Sequence, residues 1–233
     1  MSHFSSFHYR DNQLFAEEIP LTAIAAEFGT PCYVYSSTAI RTAYQAFARA
    51  FGQRQHLICY AVKANSNIAI LNLLARLGSG FDIVSDGELQ RVFKAGGDPQ
   101  KTVFSGVGKT SEEMRAALAA HILCFNVESE MELLALNEIA EQMGKTAPVS
   151  LRVNPDVDAN THPYISTGMK ENKFGIPAAE AERIYTLAQQ LPNIQVSGLD
   201  CHIGSQLTEI APFIEAAHKM LDLLAQLQTK GIA

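Results

Sequence analysis

Leu57-Ile58-Cys59-Tyr60-Ala61-Val62-Lys63-Ala64-Asn65 is an apolar run that stops at a lysine. Six uncharged residues without polar alternation read as a strand covered on both faces, the kind found in a parallel sheet packed between helices. A solvated ammonium has no place on such a strand unless the amine is needed where it emerges, and desolvation there lowers a lysine pKa. Lys63 is therefore a candidate for an amine that condenses with a carbonyl, because burial enriches its neutral, nucleophilic form. It also reads as a residue at the solvated end of a strand, and so short a pattern does not separate the two.

A second stretch, Leu199-Asp200-Cys201-His202-Ile203-Gly204-Ser205-Gln206, resembles the end of another strand. The apolar segment Ile194 to Leu199 leads into His, Gly and Ser at what should be the C-terminal end, where a parallel α/β barrel gathers its reactive groups. The imidazole of His202 could lie flat against an aromatic ring. Ser205 and the amides beside Gly204 could hydrogen-bond a phosphate, glycine allowing the close approach. A satisfied core histidine before an ordinary turn is the plainer reading, and Lys63 in the same chain shifts the balance toward a site.

Outward from these two stretches the chain alternates. Strand-like runs at Pro31 to Tyr35, Leu57 to Lys63, Gly80 to Val84, Thr102 to Ser105, Ile122 to Val127, Val149 to Asn154 and Ile194 to His202 are separated by amphipathic stretches. The latter cover Ser37 to Phe51, Asn67 to Leu77, Asp86 to Ala95, Ser111 to Ala120, Ser129 to Met143, Ala178 to Gln190 and Glu209 to Gln228. Thr110-Ser111 ahead of Glu112-Glu113 reads as an N-cap, while Gly78 and Gly96-Gly97 read as helix stops. Strand and helix pairs in succession predict a parallel α/β fold, with the (β/α)8 TIM-like barrel as its closed form. Gly106-Val107-Gly108-Lys109-Thr110 imitates the end of a phosphate-binding P-loop, but Val103 stands where the first glycine belongs, so that reading is rejected. Pro155 to Pro177 is a long irregular insertion after a strand, expected to be either a functional loop at the catalytic face or a solvated excursion.

Composition narrows the function classes. With 47% hydrophobic and 18% charged residues in 233, the chain can bury a sizeable core. A net charge of -6 argues against nucleic acid or anionic membrane as partners, since either calls for a basic face. Met1 to Asp11 lacks a basic start followed by an apolar stretch, so cytoplasmic residence is the expectation. Cys32, Cys59, Cys124 and Cys201 form no CxxC pair and are expected as reduced core thiols. His121, His162, His202 and His218 have no ligand spacing, so no metal is expected.

Taken together, the motifs resemble the fold-type III pyridoxal-phosphate decarboxylases, and within them the diaminopimelate decarboxylase family. The stretches that carry the likeness are Tyr60 to Asn65, Phe81 to Glu88, Phe104 to Thr110, Arg152-Val153-Asn154-Pro155, His162-Pro163-Tyr164-Ile165-Ser166-Thr167-Gly168 with Lys173-Phe174-Gly175, and His202 to Gln206. The likeness runs from about residue 10 to about residue 230, and His162 to Gly168 followed by Lys173 to Gly175 is its most specific part. Alanine racemases and the single-barrel pyridoxal-phosphate homeostasis proteins carry different contexts around their lysine. The resemblance implies pyridoxal 5'-phosphate as cofactor, with Lys63 and His202 catalytic and with Lys63, Asp82, Arg152, His202, Gly204 and Ser205 around the cofactor. Arg152 also reads as a barrel-core ion-pair partner, and Asp82 competes for its role with nearby Asp86 and Glu88.

The implied reaction is decarboxylation of meso-2,6-diaminopimelate to L-lysine and CO2 by a homodimer. Decarboxylation of ornithine or arginine, a non-catalytic cofactor-binding protein, and a plain interaction module are the alternatives. In that family an eighth barrel strand, a glycine-rich phosphate loop and a C-terminal β domain follow. The expectation is thus an N-terminal part of a longer enzyme, inactive alone, with residues 1–30 as a segment that pairs with the β domain and 31–233 as an incomplete cofactor-binding barrel.

Overall fold

A computed structural model of the chain describes residues 6–157, 174–205 and 207–232. The chain opens with a small antiparallel meander, β1 (Phe7–Arg10), β2 (Gln13–Ala16) and β3 (Ile19–Pro20), followed by α1 (Leu21–Phe28). Asp11 and Asn12, at φ 49° and 61°, turn β1 into β2; this is the left-handed pair that a two-residue hairpin uses. Next come α2 (Ser37–Phe51), β4 (Cys59–Ala61), α3 (Ile68–Arg76), β5 (Gly80–Ile83) and α4 (Asp86–Lys94). The alternation continues through β6 (Thr102–Phe104), α5 (Ser111–Ala119), β7 (Cys124–Val127), α6 (Glu130–Gln142) and β8 (Ala147–Asn154). It ends with β9 (Ile176–Pro177), α7 (Ala178–Gln190), β10 (Ile194–Asp200) and α8 (Ala211–Thr229).

β4, β5, β6, β7, β8 and β10 lie side by side in that order, all parallel, with short β9 added beside the end of β8. This is the repeating unit of a (β/α)8 barrel. The inner strands carry Phe81, Ile83, Phe104, Phe125, Val127, Leu151 and Val153 at full burial, and the helices cover them with Leu71, Leu89, Val92, Leu133, Leu136 and Tyr185. Both faces are occupied, so these strands read as continuous apolar runs rather than as alternating ones.

Two sequence expectations need correction. Pro31 to Tyr35 is not a strand: Pro31 has no N–H for a ladder, and Tyr33 at 91% and Tyr35 at 54% exposure have no sheet to face. The parallel set therefore numbers six among the described residues, with β9 as an appendage. The run Leu57 to Val62 is less buried than its composition implies. Only Cys59–Ala61 is strand and it is half-buried, because β4 has a single partner, β5, among the described residues.

Helix starts are set by a repeated device. Ser85, Thr110 and Ser129 are N-caps that accept from the amides of Glu88, Glu113 and Glu132 three residues on. At Thr110 the glutamate reaches back to close a full capping box. Glu88 and Glu132 reach back one residue further, to the amides of Val84 at 2.7 Å and Glu128 at 3.0 Å. Each cap pins a short loop at the C-terminal end of a strand, where side chains converge.

Candidate active site

The strand ends surround a cavity of about 480 Å³ lined by Lys63, Asp82, Ser105, Asn126, Glu128, Arg152, Asp200 and His202, with Cys59, Cys201 and Phe174 in its wall. Lys63 follows β4 in a single 3-10 turn, Asp82 is on β5, Ser105 follows β6, Asn126 and Glu128 end β7, Arg152 is on β8 and His202 follows β10. At least one polar residue from each successive unit thus reaches the same space. Gly175, at φ 88°, lets the chain pass close to β8; a Cβ there would lie 2.8 Å from Asn154 Oδ1. That close passage leads Phe174 into the wall.

Two hydrogen-bond systems organise the polar ring. In the first, Cys124 Sγ donates to Asn126 Oδ1 at 3.7 Å, Asn126 Nδ2 donates to Ser105 Oγ at 3.0 Å, and Ser105 Oγ donates to Asp82 Oδ1 at 2.7 Å. In the second, Arg152 Nη1 donates to both oxygens of Glu128 at 3.1 Å, and Gly106 N donates to Glu128 Oε1 at 2.9 Å. Behind it, Lys109, with a side chain only 1% exposed, pairs with Glu132 at 2.7 Å and donates to the carbonyls of Gly106 and Asn126 at 2.7 and 2.8 Å. Buried Arg152 Nε has no hydrogen-bond partner among the described residues.

Burial dominates the electrostatics. It raises the Asp82 carboxyl above its ordinary range, opposed by the Ser105 hydrogen bond and by the charge of Lys63. Asp200 is pushed up to about 6 by burial, with Arg152 opposing the shift and the carboxylates of Asp82 and Glu128 adding to it. Desolvation, then the positive charges of Arg152 and Lys63, hold His202 below the usual histidine range. Burial pushes the thiols of Cys59 and Cys124 to about 11 and about 12, which makes both poor nucleophiles.

The structure brings Lys63, Asp82, Arg152 and His202 to one cavity. Gly204 and exposed Ser205 follow His202 without entering its lining, and His162 to Gly168 lies outside the described residues. Lys63 is exposed, standing one residue beyond buried Val62 in the 3-10 turn that follows the outermost strand. Arg152 lines the cavity and is paired with Glu128, as its ion-pair reading expected. Glu128, Ser105, Asn126 and Asp200 also line the cavity and were not assigned to a site from the sequence, although Ser105 and Asp200 lie within its motifs. The thiols are free, but Cys32 is exposed and the other three only half-buried, so a fully buried set of core thiols is corrected.

Comparisons with known proteins agree on one family. Residues 37–233 match the family described as pyridoxal-dependent decarboxylase, pyridoxal binding domain. The chain is 59% identical over 226 residues to a diaminopimelate decarboxylase of Haemophilus influenzae, covering 97% of this chain and 54% of that protein. It is 60% identical over 227 residues to the one from Vibrio cholerae, with the same coverage. A crystal structure of diaminopimelate decarboxylase from Helicobacter pylori complexed with L-lysine superposes with a TM-score of 0.88 at 46% identity, over 91% of this chain and 54% of that one. Lysine decarboxylase from Selenomonas ruminantium is similar at 26% identity and a TM-score of 0.79, over 91% of this chain and 52% of that one. The chain spans about half the length of the curated relatives it matches. With a lysine, a histidine, an arginine and an aspartate gathered at the ends of parallel strands, it belongs to the pyridoxal-dependent decarboxylases, as their pyridoxal-binding domain.

Proposed function

We propose that this chain is the cofactor-binding part of a decarboxylase that converts meso-2,6-diaminopimelate to L-lysine and CO2. The observation that carries the reading is the convergence of Lys63, Asp82, Arg152 and His202 on one cavity of about 480 Å³, a size that suits a small cofactor. The residues present fit pyridoxal 5'-phosphate: an amine for its aldehyde, an imidazole for its ring face, and a guanidinium whose buried Nε has no partner among the described residues. Bound there, the cofactor would supply an electron sink for the pair left behind when CO2 departs from the α-carbon.

The chain's own residues prepare that chemistry. Lys63 offers its amine from a turn rather than a mobile loop, and the negative charge of Asp82 faces it. His202, held toward its neutral form near pH 7, presents an uncharged flat ring. Arg152 on β8 and Asp82 on β5 would border the cofactor from two separate strands, and the Gly204 amide with Ser205 would meet its phosphate. A homodimer in the cytoplasm is part of the reading; free cysteines suit a reducing compartment. So is the pairing of the N-terminal segment, residues 1–30, with a further β domain, residues 31–233 being the cofactor-binding domain.

Identity supports diaminopimelate over other substrates: 59–60% to diaminopimelate decarboxylases against 26% to a lysine decarboxylase. A competition assay on the full gene product decides the matter. Diaminopimelate should show the highest kcat/KM among diaminopimelate, lysine, ornithine and arginine, and a higher value for ornithine would overturn the assignment.

A further inference from the structure

Glu128 is buried just past the end of β7, and its carboxylate is shared between the neighbouring units on either side. Oε1 accepts from the Gly106 amide at 2.9 Å and from Arg152 Nη1 at 3.1 Å, while Oε2 accepts from the same Nη1 at 3.1 Å. Its backbone is pinned too: its N–H donates to Glu132 Oε2 at 3.0 Å, and Glu132 Oε1 holds Lys109 Nζ at 2.7 Å. Lys109 Nζ closes the circle on the Gly106 carbonyl, 2.7 Å away. Gly106, at φ 98°, is therefore gripped at its amide by Glu128 and at its carbonyl by Lys109. One carboxylate ties together the ends of β6, β7 and β8.

A buried ion pair contributes little net stability compared with apolar residues of the same size, so its presence calls for another explanation. Geometry provides one. An arginine on a free stem must be ordered when it meets a ligand, whereas a guanidinium already docked on a carboxylate has lost that freedom beforehand. Arg152 lines the cavity, and its Nε is buried with no partner among the described residues, so N–H groups remain to meet an oxygen-bearing group.

We infer that Glu128 is a positioning residue of this site: it holds Arg152 in a ligand-ready orientation and acts on the bound ligand through that arginine. The inference rests on the pyridoxal 5'-phosphate reading, and it is distinct from a direct contact or a purely structural role. A second group acting through the first produces no further loss once the first is gone.

The test is a double-mutant cycle on the dissociation constant of pyridoxal 5'-phosphate, titrated by absorbance, in the full gene product as it stands and carrying Glu128→Gln, Arg152→Met or both. Glu128→Gln is expected to weaken binding about tenfold, within the range of coupled network residues, and to add no further loss to Arg152→Met. Equal affinity of Glu128→Gln and wild type, or losses that multiply in the combined variant, would overturn the inference while leaving the cofactor reading intact. Absence of binding to the full gene product without substitutions would overturn both. Because either single change strands a buried charge, thermal unfolding without cofactor is measured in parallel: the combined variant should melt above both singles, and melting below them would show that the two side chains are not coupled.

Discussion

Ser105 Oγ lies 2.7 Å from Asp82 Oδ1, and the single proton of the hydroxyl points at that carboxylate because Asn126 Nδ2 donates to the same oxygen from 3.0 Å. The direction of the chain is set at its far end, where the Cys124 thiol donates to the Asn126 carbonyl oxygen. The Ser105 hydrogen bond stabilises the charged form of Asp82 against the desolvation that raises its pKa. Ser105→Ala should therefore move the Asp82 titration further upward, with a stability loss of about 1 kcal/mol. Side-chain carboxyl carbon shifts followed against pH give the midpoint directly, and an unmoved midpoint would show that the hydrogen bond is not what tunes Asp82.

Reduction with borohydride in the presence of pyridoxal 5'-phosphate, followed by peptide mapping, is expected to place the adduct on Lys63. Lys109 is the internal control: its side chain is 1% exposed and its ammonium is held by Glu132 and two carbonyls, so it should stay unmodified. Label on Lys109 in place of Lys63 would reverse the roles of the two lysines.

Asp200 makes stability depend on pH in a defined direction. Its folded pKa of about 6 lies above the unfolded value, so the folded state keeps a proton that the unfolded chain has lost. From about pH 4 to 6, stability should fall as pH rises, and above that window the chain carries the full cost of a buried charge. Asp200→Asn removes the titration. The variant should melt close to wild type near pH 4 and higher than wild type near pH 7.5, by a margin on the order of 1–3 kcal/mol. An equal margin at both pH values would assign the effect to packing instead.

β4 and β10 each have a sheet neighbour on one side only among the described residues. A 233-residue chain with such edges is expected to associate as its concentration rises. Sedimentation velocity over a concentration series tests this. Gln195→Lys, which places a charge on exposed β10, should shift the distribution toward monomer.

Much of the scaffold could be read directly from residue pattern. The bounds of α2 and α7 match the amphipathic stretches Ser37 to Phe51 and Ala178 to Gln190, and Thr110 caps α5 as its spacing implied. Pro31 to Tyr35 was misleading because β-branched and aromatic residues describe a surface that fits a sheet, not the presence of a neighbouring strand. The opening meander and α1 were missed although Asp11-Asn12 is a hairpin turn and Pro20 and Gly29 flank the helix. Lys63 and His202 stood out because each closes an apolar run, whereas Asp82 and Arg152, inside Phe81 to Val84 and Val149 to Val153, were singled out only through the family resemblance. Glu128 was not singled out, since only the register of β7 on β8 brings it to Arg152. Its one local sign is the Ser129-Glu130-Met131-Glu132 cap that follows, repeating the form of Ser85-Asp86-Gly87-Glu88.

The two side chains assigned to the cofactor ring and its aldehyde, His202 and Lys63, follow β10 and β4, the outermost strands of the six. Arg152 and Asp82 stand one strand further in, held by hydrogen bonds from the middle of the sheet. Amide hydrogens should thus exchange fastest at the two margins and slowest at β6 and β7, since opening a margin breaks one ladder and opening the centre breaks two. Fraying at either margin removes one of the two groups while the carboxylates and the guanidinium stay in place. The site can therefore fall silent by a partial, local opening, with the molecule still folded at its centre.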